Sequence, residues 1–120
     1  PESPADLLEH ECIVEAFNPH RYNVWQFPEG SQQREVTVHG RYVTDSTFMA
    51  QRLVEQGLGI SMLPDYICRE GLAAGRLKKL FNGRYEISHN VYVLYPSRRY
   101  VPSKVKAFLA FLEQHFPKQL

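Results

Sequence analysis

Apolar residues in this chain come in short blocks, and the clearest change of spacing lies in residues 43–64. Strand-like residues end at Val43, and the polar step Thr44-Asp45-Ser46-Thr47 follows. Met49, Ala50, Leu53 and Val54 then repeat at i, i+1, i+4 and i+5, which predicts a helix with one apolar edge. Thr44, Asp45 and Ser46 all suit its N-cap, because their side-chain oxygens can accept from free helical amides. Gly57 stands where a left-handed residue commonly closes a helix, a conformation that Gly adopts without a Cβ penalty. Residues 60–63 are too few for another helix and read as a buried strand stopped by Pro64. The unit predicted is a strand–helix–strand crossover whose helix starts among hydroxyls and unpaired N–H groups, a ready seat for an oxygen-rich ligand.

On either side the pattern alternates between the two periods. A loop and short turn at residues 2–8 lead to a strand at 12–16. Asn18-Pro19-His20 breaks it, and 23–27 forms the next strand. Pro28-Glu29-Gly30-Ser31 has turn chemistry. Glu35 and Thr37 alternate with Val36 and Val38, as on a half-buried strand. Gly40 allows a bend before strand 41–43. Residues 65–73 form a helix capped by Asp65 and closed at Ala74-Gly75. An edge-like strand at 76–80, a tight turn at Asn82-Gly83 and a strand at 89–95 follow. Pro102 suits the first turn of a helix carrying Val105, Phe108, Leu109, Leu112 and Phe116. Alternating strands and helices predict an α/β architecture.

The 120 residues suit one domain with a packed core, and 43% hydrophobic content excludes disorder. With 14 basic and 13 acidic residues, the charge gives no footprint for DNA or RNA. Cys12 and Cys68 form no CxxC pair; they read as reduced, buried thiols of a cytosolic protein, with a lone disulfide between them as the less favoured reading. No apolar run is long enough to span a membrane. The chain opens Pro-Glu-Ser-Pro, without Met or a signal-type segment, and is read as part of something longer.

Several segments together resemble the effector-binding domain of LysR-type transcriptional regulators, bacterial proteins that sense a small molecule and switch a promoter. They are Pro4-Ala5-Asp6-Leu7-Leu8-Glu9-His10-Glu11-Cys12-Ile13, Trp25-Gln26-Phe27 and Val36-Thr37-Val38-His39-Gly40-Arg41. Leu58-Gly59-Ile60-Ser61-Met62-Leu63-Pro64 and Gly75-Arg76-Leu77 continue the series. Val93-Leu94-Tyr95-Pro96-Ser97-Arg98-Arg99 and Val105-Lys106-Ala107-Phe108 complete it. Each motif is weak alone, but their order and spacing fit over about the whole chain.

The resemblance implies a type II periplasmic-binding-protein-like fold, with two α/β subdomains and the ligand between them. Residues 1–88 would be most of subdomain II, and 89–120 the return crossover with the closing strand and helix of subdomain I. The DNA-binding domain and the first half of subdomain I are expected outside this chain. The apolar stripe of the last helix is then expected to pack on a neighbouring chain or on that missing half. The implied function is a cytoplasmic, homo-oligomeric sensor without catalytic residues or cofactor. It would bind a small-molecule effector, an organic acid being one candidate, and touch DNA only through the absent domain.

The resemblance places Thr44, Asp45, Ser46, Thr47 and Phe48 against the effector. The same residues could instead serve only as ordinary helix caps, and the charge of Asp45 would repel a carboxylate. The family often carries Asn where Thr44 stands. Gly57-Leu58-Gly59 lacks the third glycine of a dinucleotide fingerprint and precedes a strand rather than following one. Gly59-Ile60-Ser61-Met62-Leu63 lacks the second glycine of a nucleophile elbow. His10, His20, His39, His89 and His115 show no metal-ligand spacing. Arg98-Arg99 with Lys104 and Lys106 reads as a solvated basic cluster, while Trp25 and Phe27 read as core or subunit-contact residues. A solute-binding protein of a transport system is the alternative function, and a small enzyme on the same fold the least favoured.

Overall fold

Cys12, Ile13 and Val14 are almost completely buried, and the first part of the chain is arranged around them. A computed structural model describes residues 1–16, 20–88, 92–95 and 100–116. It divides the chain into two compact units, Pro1–Ser88 and His89–Leu120.

The first unit begins with a 3₁₀ turn over Pro4–Glu9. Its first turn is fixed by Asp6, whose carboxylate accepts the backbone N–H groups of Glu2 (2.8 Å) and Ser3 (3.0 Å). Strand β1 (Ile13–Glu15) pairs in parallel with β4 (Tyr42–Thr44), placing Glu15 opposite Thr44. Strands β2 (Val24–Glu29) and β3 (Gln32–Thr37) form an antiparallel hairpin in which Trp25 faces Val36 and Gln26 faces Glu35. Helix α1 spans Thr47–Glu55, and helix α2 spans Asp65–Ala73.

Alternation along β1 decides what packs on each side. Cys12 and Val14 join Leu7, Trp25, Phe27, Val36 and Val38 in one buried cluster, against which Ile60, Phe81 and Tyr85 pack. The rings of Phe27, Phe81 and Tyr85 meet edge to face, with centroids 5.3–6.2 Å apart. Trp25 and Phe27 are thus core residues. Glu15 points the other way, toward α1. The solvent side of the hairpin is polar: Arg21 and Gln26 both donate to Glu35.

Helix α1 closes as its glycine predicts. Gly57 is left-handed (φ 73°), with Gly57 N–H on the Val54 carbonyl and Leu58 N–H on the Leu53 carbonyl. Gly75 (φ 71°) ends α2 in the same way. Asn82-Gly83 turns left-handed as expected, inside a short 3₁₀ segment Phe81–Gly83 closed by Arg84 N–H on the Phe81 carbonyl.

Four expectations need correction. Residues 60–63 form no strand: Ile60 alone bridges Cys12, bonded to the Glu11 carbonyl and Ile13 N–H. Beyond it the Ser61 hydroxyl, not a backbone amide, takes the Ile13 carbonyl at 2.8 Å and ends the ladder. Residues 76–80 form no strand either, because Arg76 and Leu77 both turn their N–H groups onto the Gly71 carbonyl. Asp65 is not the cap of α2; Pro64 holds that position and Asp65 is the first helical residue. Pro28 and Glu29 belong to β2, which leaves Gly30 (φ 64°) and Ser31 as a two-residue hairpin turn.

The second unit contains helix α3 (Ser103–His115), preceded by Pro102 at its N-cap. None of its residues is buried; Phe108 and Phe111 are each more than half exposed. Of the strand expected at 89–95, residues 89–91 lie outside the described residues, and 92–95 have no regular structure.

Candidate functional site

Ser46, extended at φ −118° and ψ 113°, is the N-cap of α1, and its hydroxyl accepts the Met49 N–H at 3.4 Å. One step earlier, the Thr44 hydroxyl accepts the Ser46 N–H at 3.0 Å. Both hydroxyls therefore organise the turn from β4 into α1. Among the described residues, the N–H groups of Thr47 and Phe48 have no acceptor, so the positive end of the helix stays partly unsatisfied.

Thr47 is different. Its hydroxyl donates to Glu15 Oε2 at 2.7 Å, across from α1 to the end of β1. The other oxygen, Glu15 Oε1, is covered and has no hydrogen-bond partner among the described residues. Of the five residues singled out in the sequence, Thr44, Ser46 and Thr47 thus meet around the helix start and are half-buried. Asp45 is exposed beside them, and Phe48 is exposed by 69%.

Phe48 instead lines a groove of about 400 Å³ between α1 and α2, together with Gln51, Arg52, Glu55, Tyr66, Ile67, Glu70 and Arg76. Its polar residues serve one another. Glu55, with a side chain only 5% exposed, takes bonds from Gln51, Arg52 and Arg76. Arg76 also reaches Glu70 at 3.1 Å. Gly71 permits this approach, because a Cβ there would sit 3.0 Å from Glu55 Oε1 and 2.7 Å from Leu77 Cδ1.

Sequence reasoning did not find Glu15. The available signal was an acidic residue at the end of an otherwise buried strand, one alternation away from the core face. The Glu55–Arg76 pair, 21 positions apart, left no local signal at all.

Among the described residues no group of His, Cys, Asp and Glu could hold a metal ion. Both described cysteines are free thiols. Burial pushes the Cys12 thiol up to about 11, helped by the charge of Glu11. Cys68 is raised by burial first, then by Asp65 and Glu15. Neither is an activated nucleophile. His10, His20 and His39 are exposed, and His115 stacks on Phe111 at 4.0 Å. His89 and Arg98-Arg99 lie outside the described residues. No described helix is long and apolar enough to cross a membrane.

Comparison with known proteins agrees with this picture. The family model for the LysR substrate binding domain matches residues 1–117. The chain is 35% identical over 95 residues to the HTH-type transcriptional regulator PtxR of Pseudomonas aeruginosa, covering 79% of this chain and 30% of that protein. It is 29% identical to the probable HTH-type transcriptional regulator LtrA of Klebsiella pneumoniae, over 98% of this chain and 38% of that one. The chain thus spans about a third of the curated relatives it matches. The fold is similar to that of full-length AphB, a Vibrio cholerae virulence activator, with TM-score 0.78 and 22% identity over 96% of this chain and 39% of that chain. It also resembles the regulatory domain of the AphB C227S variant from Vibrio vulnificus, with TM-score 0.74 and 23% identity over 95% and 56% of the two chains. The architecture is α/β of the periplasmic-binding-protein-like type, and the chain belongs to the LysR substrate-binding domain family.

Proposed function

We propose that this chain is the effector-sensing part of a bacterial LysR-type transcriptional regulator. Residues 1–88 are assigned to subdomain II, and residues 89–120 to the returning part of subdomain I. A small molecule meets the start of α1 at Thr44, Asp45, Ser46, Thr47 and Phe48. The observation that supports this most is the unsatisfied first turn of α1, where two amides and three hydroxyls converge in a family of ligand-responsive regulators. The regulator is cytoplasmic, works as a homo-oligomer and performs no chemistry. It meets DNA through a separate N-terminal domain. A transport-type solute-binding protein is not favoured, since the matched relatives are transcriptional regulators.

A ligand can shift the regulator between two states only by its differential affinity for them. Contacts made in one state by Ser46 and Thr47 are therefore where inducer sensitivity resides. In the full-length protein, Ser46→Ala with Thr47→Ala is expected to move the inducer response at least about tenfold, the effect of ~1.4 kcal/mol lost from one or two hydrogen bonds. Binding to promoter DNA without inducer should be unchanged. An unaltered inducer curve sinks the assignment.

A further inference from the structure

Asn82 and Gly83 share a left-handed turn with Phe81, at φ values of 52°, 74° and 56° respectively. Asn and Gly enter that region readily, whereas a bulky residue such as Phe is an outlier there. Phe81 is held in place through its ring, which meets Phe27 and Tyr85 edge to face with centroids 6.2 and 5.3 Å away. The turn is closed by Arg84 N–H on the Phe81 carbonyl at 3.0 Å and by the ion pair of Lys79 with Glu86. A surface turn thus fixes Phe81 and Tyr85 against the buried cluster. Asn82 itself is exposed, and its side-chain amide has no partner among the described residues. Asn23 is the contrast: its amide donates to the Val38 carbonyl, and the N–H that follows it, on Val24, is bonded to the Arg21 carbonyl.

We propose that Asn82 is a site of spontaneous deamidation, and that isoaspartate formed there releases Phe81 and Tyr85 from the core. The nucleophile is the backbone nitrogen of Gly83, which no side chain shields. At ψ 34° for Asn82 that nitrogen points away from Cγ, so the turn must open briefly, and an exposed turn opens at little cost. After losing its proton, the Gly83 nitrogen attacks Asn82 Cγ. An N–C bond forms, the Cγ–Nδ2 bond breaks, and ammonia leaves with a proton. Water then opens the cyclic imide at either carbonyl, giving aspartate or isoaspartate. Aspartate suits a left-handed position much as Asn does. Isoaspartate lengthens the main chain by a methylene, which the bond from Arg84 to Phe81 cannot accommodate in its present geometry. Phe81 then has no reason to keep its outlying φ, and its ring leaves Phe27 and Tyr85.

The test ages the full-length protein in mildly alkaline buffer beside a synthetic, end-blocked Leu80–Arg84 peptide. Trypsin cuts after Lys79 and Arg84, so the same segment is recovered from the protein for mass analysis against an unaged sample. Conversion in the protein should run within about tenfold of the free peptide, the margin that an opening cost of ~1.4 kcal/mol allows. Isoaspartyl methyltransferase with S-adenosylmethionine should label that segment and leave the one containing Asn23 unlabelled. The thermal midpoint of the protein should fall in step with the label. Asn82→Gly suits the left-handed turn but carries no amide, and should keep its own starting midpoint throughout ageing. A Leu80–Arg84 segment still unmodified when the free peptide is spent overturns the proposal. So does a labelled protein whose midpoint has not moved, or an Asn82→Gly protein that loses as much on ageing as the wild type. Should that variant fail to fold, the label and midpoint of the wild type decide.

Discussion

Arg76 Nε lies 3.3 Å from Glu55 Oε1, and this contact ties the segment just past α2 to the last residue of α1. Glu55 is the most enclosed carboxylate among the described ion pairs. Its charge is tolerated because Gln51, Arg52 and Arg76 all donate to it. Arg76→Ala removes one donor and leaves two. Arg76 is itself 43% exposed, so the loss is expected at about 1–2 kcal/mol rather than the several expected for a fully buried pair. Urea unfolding should show Glu55→Gln recovering part of that loss in the double variant. Full additivity of the two changes would mean that the pair is not coupled.

Gly40 and Gly57 make opposite demands. A Cβ on Gly40 would lie 1.6 Å from the Cys12 carbonyl oxygen, in backbone that cannot move without breaking β1. Gly40→Ala is expected to cost ~3 kcal/mol or more, or to prevent folding. A Cβ on Gly57 meets nothing within 4 Å, and only its left-handed φ of 73° resists substitution. Gly57→Ala should cost about 1 kcal/mol. Denaturation midpoints that rank these two variants the other way would contradict the close approach of residue 40 to β1.

These cases show which parts of the molecule were readable in advance. Period-two alternation at Val36 and Val38, helical spacing at Met49–Val54 and the closing Gly57 are local signals, and each corresponds to observed structure. The failures at residues 60–63 and 76–80 share one cause. Both segments look strand-like by composition, but the backbone groups that a ladder would use are claimed otherwise: the Ile13 carbonyl of β1 by the Ser61 hydroxyl, the Arg76 and Leu77 amides by the Gly71 carbonyl. At the candidate site, the N-cap was legible to within the step Thr44-Asp45-Ser46, and Ser46 fills it because its hydroxyl acts on a neighbour in sequence. Glu15 was not, because it reaches Thr47 across 32 positions.

Helix α3 offers a test of the subdomain assignment. Val105, Leu109 and Leu112 are half-buried, and Phe108 is exposed by 54%. A side chain this open gains little of the roughly 1.5–3 kcal/mol available on full burial. If the rest of subdomain I covers this face in the full-length regulator, Phe108→Ala should cost ~3–5 kcal/mol there. In the 120-residue chain alone it should cost less than about 1 kcal/mol. Equal costs in the two proteins would place the cover inside this chain and count against the assignment of residues 89–120.

Stability should fall on the acid side, and the sign follows from three carboxylates. Glu11 is held below the usual glutamate range, chiefly by the Arg41 backbone N–H and further by its guanidinium. Asp6 is lowered by the N–H groups of Ser3 and Glu2, and Glu35 by Gln26 and Arg21. A carboxyl lowered on folding releases its proton more readily in the native state. Its contribution is therefore complete above the ordinary values of 3.8 for Asp6 and 4.5 for the glutamates, and is lost as pH drops through the lowered ones. The alkaline side has the opposite origin. Cys12 rises from 9.0 to about 11 on burial, so its contribution is present below 9.0 and fades as pH climbs toward 11. Urea titrations from pH 3 to 10.5 should give a plateau between about pH 5 and 9, falling at both ends. Asp6→Asn should flatten the acid limb without moving the alkaline one, because the Ser3 and Glu2 amides would no longer distinguish two charge states at that position. A wild-type acid limb that stays level from pH 6 to pH 3 would contradict the carboxylate contacts described for the 3₁₀ turn and for Arg41.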